Sequence, residues 1–127
     1  MNRELRPKGV ASPAANYALA ICSENTQRLV HTAGIVGDRA DGTISDDIGE
    51  QAVEMWRSVD AVLGEVGMSA VDIVSYTTYA VAGNDLAAVM AARDAYLGGH
   101  RAASTLVPVP ALARPYWKVE VQVIAAR

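Results

Sequence analysis

The sequence predicts a single α+β domain over residues 1–127, in which two helices cover one face of a mixed β-sheet. Three observations lead to this prediction. Two segments carry apolar residues at steps of three and four, the period of an amphipathic helix. The segments between and around them are rich in β-branched residues or alternate between polar and apolar. The resulting order, β-β-α-β-α-β-β, leaves no linker, repeat or low-complexity tract that would mark a second domain.

Two strands are predicted before the first helix, at residues 17–22 and 28–36. The polar residues 23–27 between them predict a turn, so the two strands are expected to pair as a hairpin. The first twelve residues are polar and end near Pro13, which is typical of a short edge strand or an arm.

The first helix is predicted to begin at a cap formed by Thr43 or Ser45 and to end at Gly67. Aspartates in its first turn suit the positive end of the helix dipole. One apolar stripe should face the sheet, and we expect it to consist of Ile48, Ala52, Met55, Val59, Val62 and Val66.

Residues 71–81 are β-branched and aromatic and predict a strand. The second helix is expected to start at a cap formed by Asn84 or Asp85 and to stop at Gly98-Gly99. The residues predicted to face inward along this helix are Leu86, Val89, Met90 and Tyr96.

The last two strands are predicted within residues 101–125, joined by a loop that is rich in proline. From Trp117 to Val123 polar and apolar residues alternate strictly, which places Lys118, Glu120 and Gln122 on one face. A carboxylate between valines has to face water, a partner or a binding site. Glu120 therefore has two interpretations: an ion-pair partner, for Lys118 or for an arginine of a neighbouring chain, or a functional carboxylate in a cleft.

Composition excludes several function classes. The net charge is −3 with acidic and basic residues interspersed, so no basic stripe is present for binding nucleic acid. No apolar run approaches the roughly 20 residues that span a bilayer, and the first twelve residues lack the apolar core of a secretory signal. The only cysteine is Cys22. We expect a cytoplasmic protein that binds neither nucleic acid nor membrane.

Metal and cofactor sites are not predicted. The two histidines, His31 and His100, are far apart in the chain and Cys22 is single, so no metal-ligand spacing exists. Neither a dinucleotide fingerprint nor a phosphate loop occurs, so a nucleotide cofactor has no support.

Seven short segments, in order along the chain, resemble those of the Rid family (reactive intermediate deaminases, also called the YjgF family). They are Asn16-Tyr17, Thr32-Ala33-Gly34, Asp41-Gly42, Glu50-Gln51-Ala52, Asn84-Asp85-Leu86, Ala103-Ser104-Thr105 and Val119-Glu120-Val121. The resemblance implies a fold similar to the bacterial single-domain chorismate mutase. It also implies a homotrimer, in which three sheets close a central barrel and small molecules bind in clefts between subunits.

The resemblance also implies a site. Deaminating members bind the carboxylate of a 2-imino or 2-enamino acid with an arginine, while a tyrosine and a glutamate position water and substrate. Tyr17 and Glu120 match those two catalytic positions. Ala103 stands where the arginine belongs and offers no hydrogen-bond donor. The chain therefore resembles the members of the family that lack the arginine.

Other residues are predicted to line the cleft. Gly34, Ser104 and Thr105 match the family pattern, and Ile35, in place of a glutamine, makes the pocket more apolar. Two arginines could replace the missing one. Arg101 lies two residues before Ala103, so in a strand it points to the same face. Arg114 lies in the loop before the last strand.

Two functions follow from these residues. The first is a hydrolase-like site that favours attack of water on a small imine, enamine or related carbonyl compound other than ordinary 2-aminoacrylate. The second is a non-catalytic module that binds a small molecule or a protein, which the missing arginine favours. Whether the protein is an enzyme stays open at this point.

Overall fold

The computed structural model describes all 127 residues and contains two helices, seven strands and a short 3₁₀ turn. The strands are β1 (Asn2–Leu5), β2 (Ala20–Ser23), β3 (Leu29–His31), β4 (Ile35–Val36), β5 (Ile73–Val81), β6 (Ala103–Val109) and β7 (Val119–Ala126). The helices are α1 (Ile48–Gly64) and α2 (Leu86–Leu97), and the 3₁₀ turn is Ala70–Asp72.

The main sheet is mixed and runs in the order β3-β7-β5-β6, with β4 also paired to β7. β5 and β6 are parallel, and every other pair in this sheet is antiparallel. Both helices pack on the face that carries Tyr76, Val119, Val121 and Val123, all of which are buried. The α+β prediction, with two helices on one face of a mixed sheet, is confirmed.

The predicted hairpin between residues 17–22 and 28–36 is wrong. β2 pairs with β1, from Asn2 opposite Ser23 to Leu5 opposite Ala20, and β3 pairs with β7. The chain leaves β2 through Asn25, whose φ of 54° reverses its direction. The backbone N–H groups of residues 27 and 28 then donate to the carbonyl of Arg127. β3 therefore pairs with β7 at the end of the chain and not with β2, its neighbour in sequence.

The predicted strand 28–36 is also divided into two. The pairing with β7 shifts by one residue between His31, opposite Ile124, and Ile35, opposite Val121. Thr32 lies at this shift, where its N–H donates to the carbonyl of Val123 and its hydroxyl accepts from the Val123 N–H. The extra residue makes a β-bulge, which redirects the chain just before Gly34.

Helix α1 begins later than predicted. Asp47 is its N-cap, and its carboxylate accepts from the Glu50 N–H at 2.9 Å. Ser45 supports the turn before it by accepting from the Asp47 N–H. Val62 and Val66 are exposed, contrary to prediction, whereas Trp56 and Leu63 are buried. The buried stripe continues from Val59 to Leu63 and so leaves Val62 on the solvent side of the helix.

Helix α2 matches its prediction closely. The Asp85 carboxylate accepts from the N–H groups of Ala87 and Ala88, and Gly98 ends the helix with a left-handed φ of 58°. Val89 is buried as expected, and Leu86 and Tyr96 pack against the edge of the core. Arg93 is buried and paired with Asp94.

The second face of the sheet, which we call the open face, has no helix over it. Register places Ser75, Thr77 and Tyr79 of β5 there, together with residues of β6 and β7 that pair with them. Its central row runs from Val107 through Tyr79 to Glu120. No helix of the protein is both long and apolar enough to cross a membrane.

Candidate functional site

Glu120 lies on the open face with its carboxylate unpaired. It alternates with the buried Val119 and Val121, so its side chain points away from the helices, and it is half-buried. No residue of the chain forms an ion pair or a hydrogen bond with its carboxylate. Lys118, the partner considered from the sequence, extends its ammonium to the backbone carbonyl of Asp46 instead.

Gly34 packs directly against this carboxylate. A Cβ atom at position 34 would lie 2.7 Å from both Cδ and Oε2 of Glu120, closer than real Cβ contacts allow. Only a glycine therefore lets the carboxylate rest on the backbone at the bulge between β3 and β4. Gly34 and Glu120 form one half of the predicted site, which we call the glutamate half.

Ile35 does not belong to this half. It pairs with Val121 on β7, and its side chain packs against the core among the helices. Within one chain Ile35 therefore lies on the helix-covered face, opposite to Glu120, and its predicted effect on the cleft stays a prediction.

Tyr17 and Ala103 form the second half, which we call the tyrosine half. The Ala18 N–H donates to the Ala102 carbonyl at 2.9 Å, and Ala18 and Ala103 make a parallel bridge. This contact places the half-buried Tyr17 beside the start of β6. At position 103 a methyl group faces the open side of the sheet.

Ser104 and Thr105 point in opposite directions. Thr105 is exposed on the open face beside Thr77. Ser104 pairs with Tyr76 of β5, whose side chain is in the core, so Ser104 faces the helices and does not line a cleft on the open face. Burial raises the pKa of the Tyr76 hydroxyl.

Arg101 is already engaged. Its Nη2 lies 2.9 Å from Oε1 of Glu4, its Nε lies 3.2 Å from the same oxygen, and Nη1 reaches the Asn16 side chain at 3.5 Å. The other Glu4 oxygen accepts from Arg6 at 2.7 Å. Arg101 first, and then Arg6, hold the pKa of Glu4 at about 2. No local pattern indicates this pair, because Glu4 and Arg101 are 97 residues apart in the chain.

Arg114 is exposed in the loop between β6 and β7, and its guanidinium bonds to no residue of the chain. The base of this loop is fixed by the buried Gln51, whose amide donates to the Tyr116 carbonyl and accepts from the Lys118 N–H. In the sequence, Gln51 is distinguished only by its place in the family-like segment Glu50-Gln51-Ala52. A polar residue inside an apolar helical stripe is the signal that could have revealed it.

The two halves are well separated within one chain. Glu120 lies in the same row as Val107, two strands away, whereas Ala103 lies four residues earlier on β6. That places their Cα atoms about 13 Å apart along the strands and about 10 Å across them, or about 16 Å in total. One chain therefore does not bring Ala103 and Glu120 onto one small molecule.

The family is decided by comparison with known proteins. The model of the family described as Endoribonuclease L-PSP matches residues 9–127. The chain belongs to this family, known as Rid or YjgF. The Rid family is therefore confirmed as the sequence predicted.

Individual Rid relatives agree with this assignment. The 2-iminobutanoate/2-iminopropanoate deaminase of Salmonella typhimurium is 32% identical over 103 residues, which are 78% of this chain and 80% of that protein. The structure of the Rid protein YyfB from Yersinia pestis gives a TM-score of 0.87 at 27% identity and covers 99% of this chain and 98% of that one. A YjgF-family structure from Mycobacterium tuberculosis gives 0.70 at 26% identity, with 90% and 89% covered.

Proposed function

We propose that this protein is a homotrimer that binds small imines, enamines or related carbonyl compounds in clefts between its subunits and favours attack by water. Each cleft joins the glutamate half of one subunit to the tyrosine half of the next. The observation that carries the proposal is the unpaired Glu120 carboxylate, which rests on Gly34. The Cα atom of Glu120 lies about 16 Å from that of Ala103 in the same chain. An open sheet face that carries Tyr79 and Val107 supports the association of subunits.

The chemistry needs little more than positioning. The solvent protonates the imine nitrogen, and Glu120 accepts a proton from the water as the water oxygen bonds to the imine carbon. The resulting carbinolamine takes the proton from Glu120 on nitrogen. The carbon–nitrogen bond then breaks, ammonia leaves, and the hydroxyl proton returns to the solvent as the carbonyl forms. Tyr17 contributes a hydroxyl that hydrogen-bonds to the substrate. General acid–base catalysis of this kind contributes about 10²–10⁴-fold in rate.

The preferred substrate lacks a carboxylate. Ala103 offers no donor, and Arg101 is bound to Glu4. The Salmonella relative is named for 2-iminobutanoate and 2-iminopropanoate, both of which are acids. In our proposal this chain turns over such acids, and 2-aminoacrylate, poorly because a bidentate guanidinium–carboxylate contact is missing. Arg114 of the adjoining subunit remains a candidate contact at the rim of the cleft.

The test is to restore the missing arginine. Ala103→Arg should raise ammonia release from 2-iminobutanoate, generated by an amino-acid oxidase, by at least about 10-fold, since hydrogen bonds to charged groups contribute about 1.5–3 kcal/mol. Ala113→Arg places the same side chain at an exposed loop position and serves as the control. Glu120→Gln added to Ala103→Arg should return the rate to the background of buffer.

Two outcomes would contradict this account. If the unmodified protein hydrolyses 2-iminobutanoate as fast as Ala103→Arg, the argument from the missing arginine is wrong. If Glu120→Ala leaves the hydrolysis of every imine in a panel of oxidase products unchanged, the carboxylate is not catalytic.

A non-catalytic binding module is the second candidate. The alanine at position 103 and the pairing of Arg101 with Glu4 favour it, because both remove cationic groups from the cleft. An ion pair between Glu120 and a neighbouring subunit in the assembled protein would favour the binding module, whereas an unpaired Glu120 would favour catalysis.

Two further expectations belong to the proposal. The net charge of −3 argues against binding RNA, although the family description names an endoribonuclease. The cytoplasmic location predicted from the sequence stays a prediction.

A further inference from the structure

A cavity of about 330 Å³ lies between the N-terminal segment and the start of β6. Its apolar walls include Leu5, Val10 and Leu19, which are 36%, 56% and 41% exposed. Its polar lining consists of Glu4, Arg6 and Arg101 together with Ser12. A cavity with apolar walls and a few convergent polar groups is typical of a small-molecule site.

Two guanidinium groups meet in this cavity on a single carboxylate. Glu4 accepts from Arg101 through both oxygens and from Arg6 through Oε2. Its side chain is only 16% exposed, whereas that of Arg101 is 29% exposed and that of Arg6 is 74% exposed. The cluster therefore has the geometry of a carboxylate-binding site in which the protein supplies the carboxylate itself.

We propose that Glu4 is a specificity-determining residue that occupies a latent carboxylate site formed by Arg6 and Arg101, and so excludes small apolar acids from it. Arg101 lies two residues before Ala103, the position at which the arginine of the cleft is missing. Because Arg101 is bound to Glu4, it does not replace that arginine. That second consequence rests on the proposed function, whereas the occupied site itself does not.

The physics of competition explains the exclusion. A carboxylate attached to the same chain acts at an effective concentration of about millimolar or more, so a free acid at lower concentration does not displace it. Because the pKa of Glu4 is held at about 2, mild acid does not neutralise this competitor either. An incoming acid would in addition meet the charge of Glu4 unless that side chain moved away.

Removing the charge of Glu4 tests the proposal. Isovalerate is the probe, since its branched apolar end suits the walls and its carboxylate suits the arginines. We expect Glu4→Gln to bind isovalerate at least about 10-fold more tightly than the unmodified protein, measured by calorimetry or by NMR titration. Neutral isovaleramide should show no gain, and Glu24→Gln, at an exposed glutamate directly after β2, is the control. The gain should disappear when Arg101→Gln is added.

Equal affinity of the unmodified protein and Glu4→Gln for isovalerate would overturn the proposal, as would an equal gain for the amide. If Glu4→Gln does not fold, Glu4→Asp tests the same point, since the shorter side chain withdraws from Arg101. It should show a smaller gain, and no gain would overturn the proposal.

This experiment is separable from that of the proposed function. Its readout is binding and not ammonia release, and Glu120→Gln, in the other half of the site, should leave isovalerate binding to Glu4→Gln unchanged. If Glu120→Gln weakened the binding of isovalerate to Glu4→Gln, the acid would bind in the glutamate half, and the location proposed here would be wrong.

Discussion

At the scale of single residues, Gln51 fixes three segments to one another. It is fully buried on α1, and its amide nitrogen donates to the Ser45 carbonyl at 2.7 Å and to the Tyr116 carbonyl at 3.0 Å. Its oxygen accepts from the Lys118 N–H at 2.9 Å. A Cβ atom at Gly37 would collide with the Gln51 backbone, so a glycine is needed where the chain crosses this residue.

We expect Gln51→Leu to lower the free energy of unfolding by about 2–4 kcal/mol, because buried donors and acceptors lose their partners at about 1–3 kcal/mol each. Urea unfolding at a fixed protein concentration measures the change. Gln27→Leu makes the same substitution at an exposed site and should shift stability by less than about 0.5 kcal/mol. Equal effects of the two substitutions would show that the three hydrogen bonds contribute nothing.

At the scale of elements, each helix is defined by the residues at its ends. The carboxylate of Asp47 bonds to a backbone N–H in the first turn of α1, whereas the neighbouring Asp46 side chain is exposed and makes no bond to the helix. The two aspartates are therefore a natural pair for measuring the cap, since they have the same charge and nearly the same distance from the helix dipole.

Asp47→Ala should cost about 1 kcal/mol of stability, the usual value for a lost N-cap. Asp46→Ala removes the same charge without the hydrogen bond and should cost a few tenths of that. Thermal unfolding followed by circular dichroism compares the two. A larger loss from Asp46→Ala would mean that charge and not the cap stabilises the start of α1.

At the scale of the whole molecule, the open face is the surface through which we propose that subunits associate. Val107, Tyr79 and Glu120 form one row across three strands on a face that no helix covers. A monomer would expose this partly apolar surface to water, which is unfavourable by about 25 cal/mol per Å². Association through this face would bury the surface and bring the two half-sites together.

We expect the protein to sediment with three times the mass of one chain, and Val107→Glu to dissociate it because an unpaired charge would then be buried between subunits. Val62→Glu places the same charge on the exposed side of α1 and should leave the trimer intact. Analytical ultracentrifugation distinguishes these results. A monomer in the unmodified protein, or dissociation by Val62→Glu alone, would contradict the trimer.

Patterns that depend on neighbouring residues were predicted well. The bounds of α2, its cap at Asp85, one of the two predicted candidates, and the alternation around Glu120 in β7 agree with the structure. Errors arose where a distant segment decides the outcome. The partner of β2 is β1 and not β3, and the strand 28–36 is split by a bulge against β7.

By itself the sequence determined the fold class, the family resemblance and the face on which Glu120 lies, because each of these follows from local periodicity and short motifs. Only the tertiary structure decided that Gly34 rests under the Glu120 carboxylate, that Arg101 is bound to Glu4, and that Ile35 and Ser104 turn toward the helices. These contacts depend on strand register and on residues far apart in the chain. Their energies do not appear in any local pattern, since a shift of one residue in register reverses the face of every side chain.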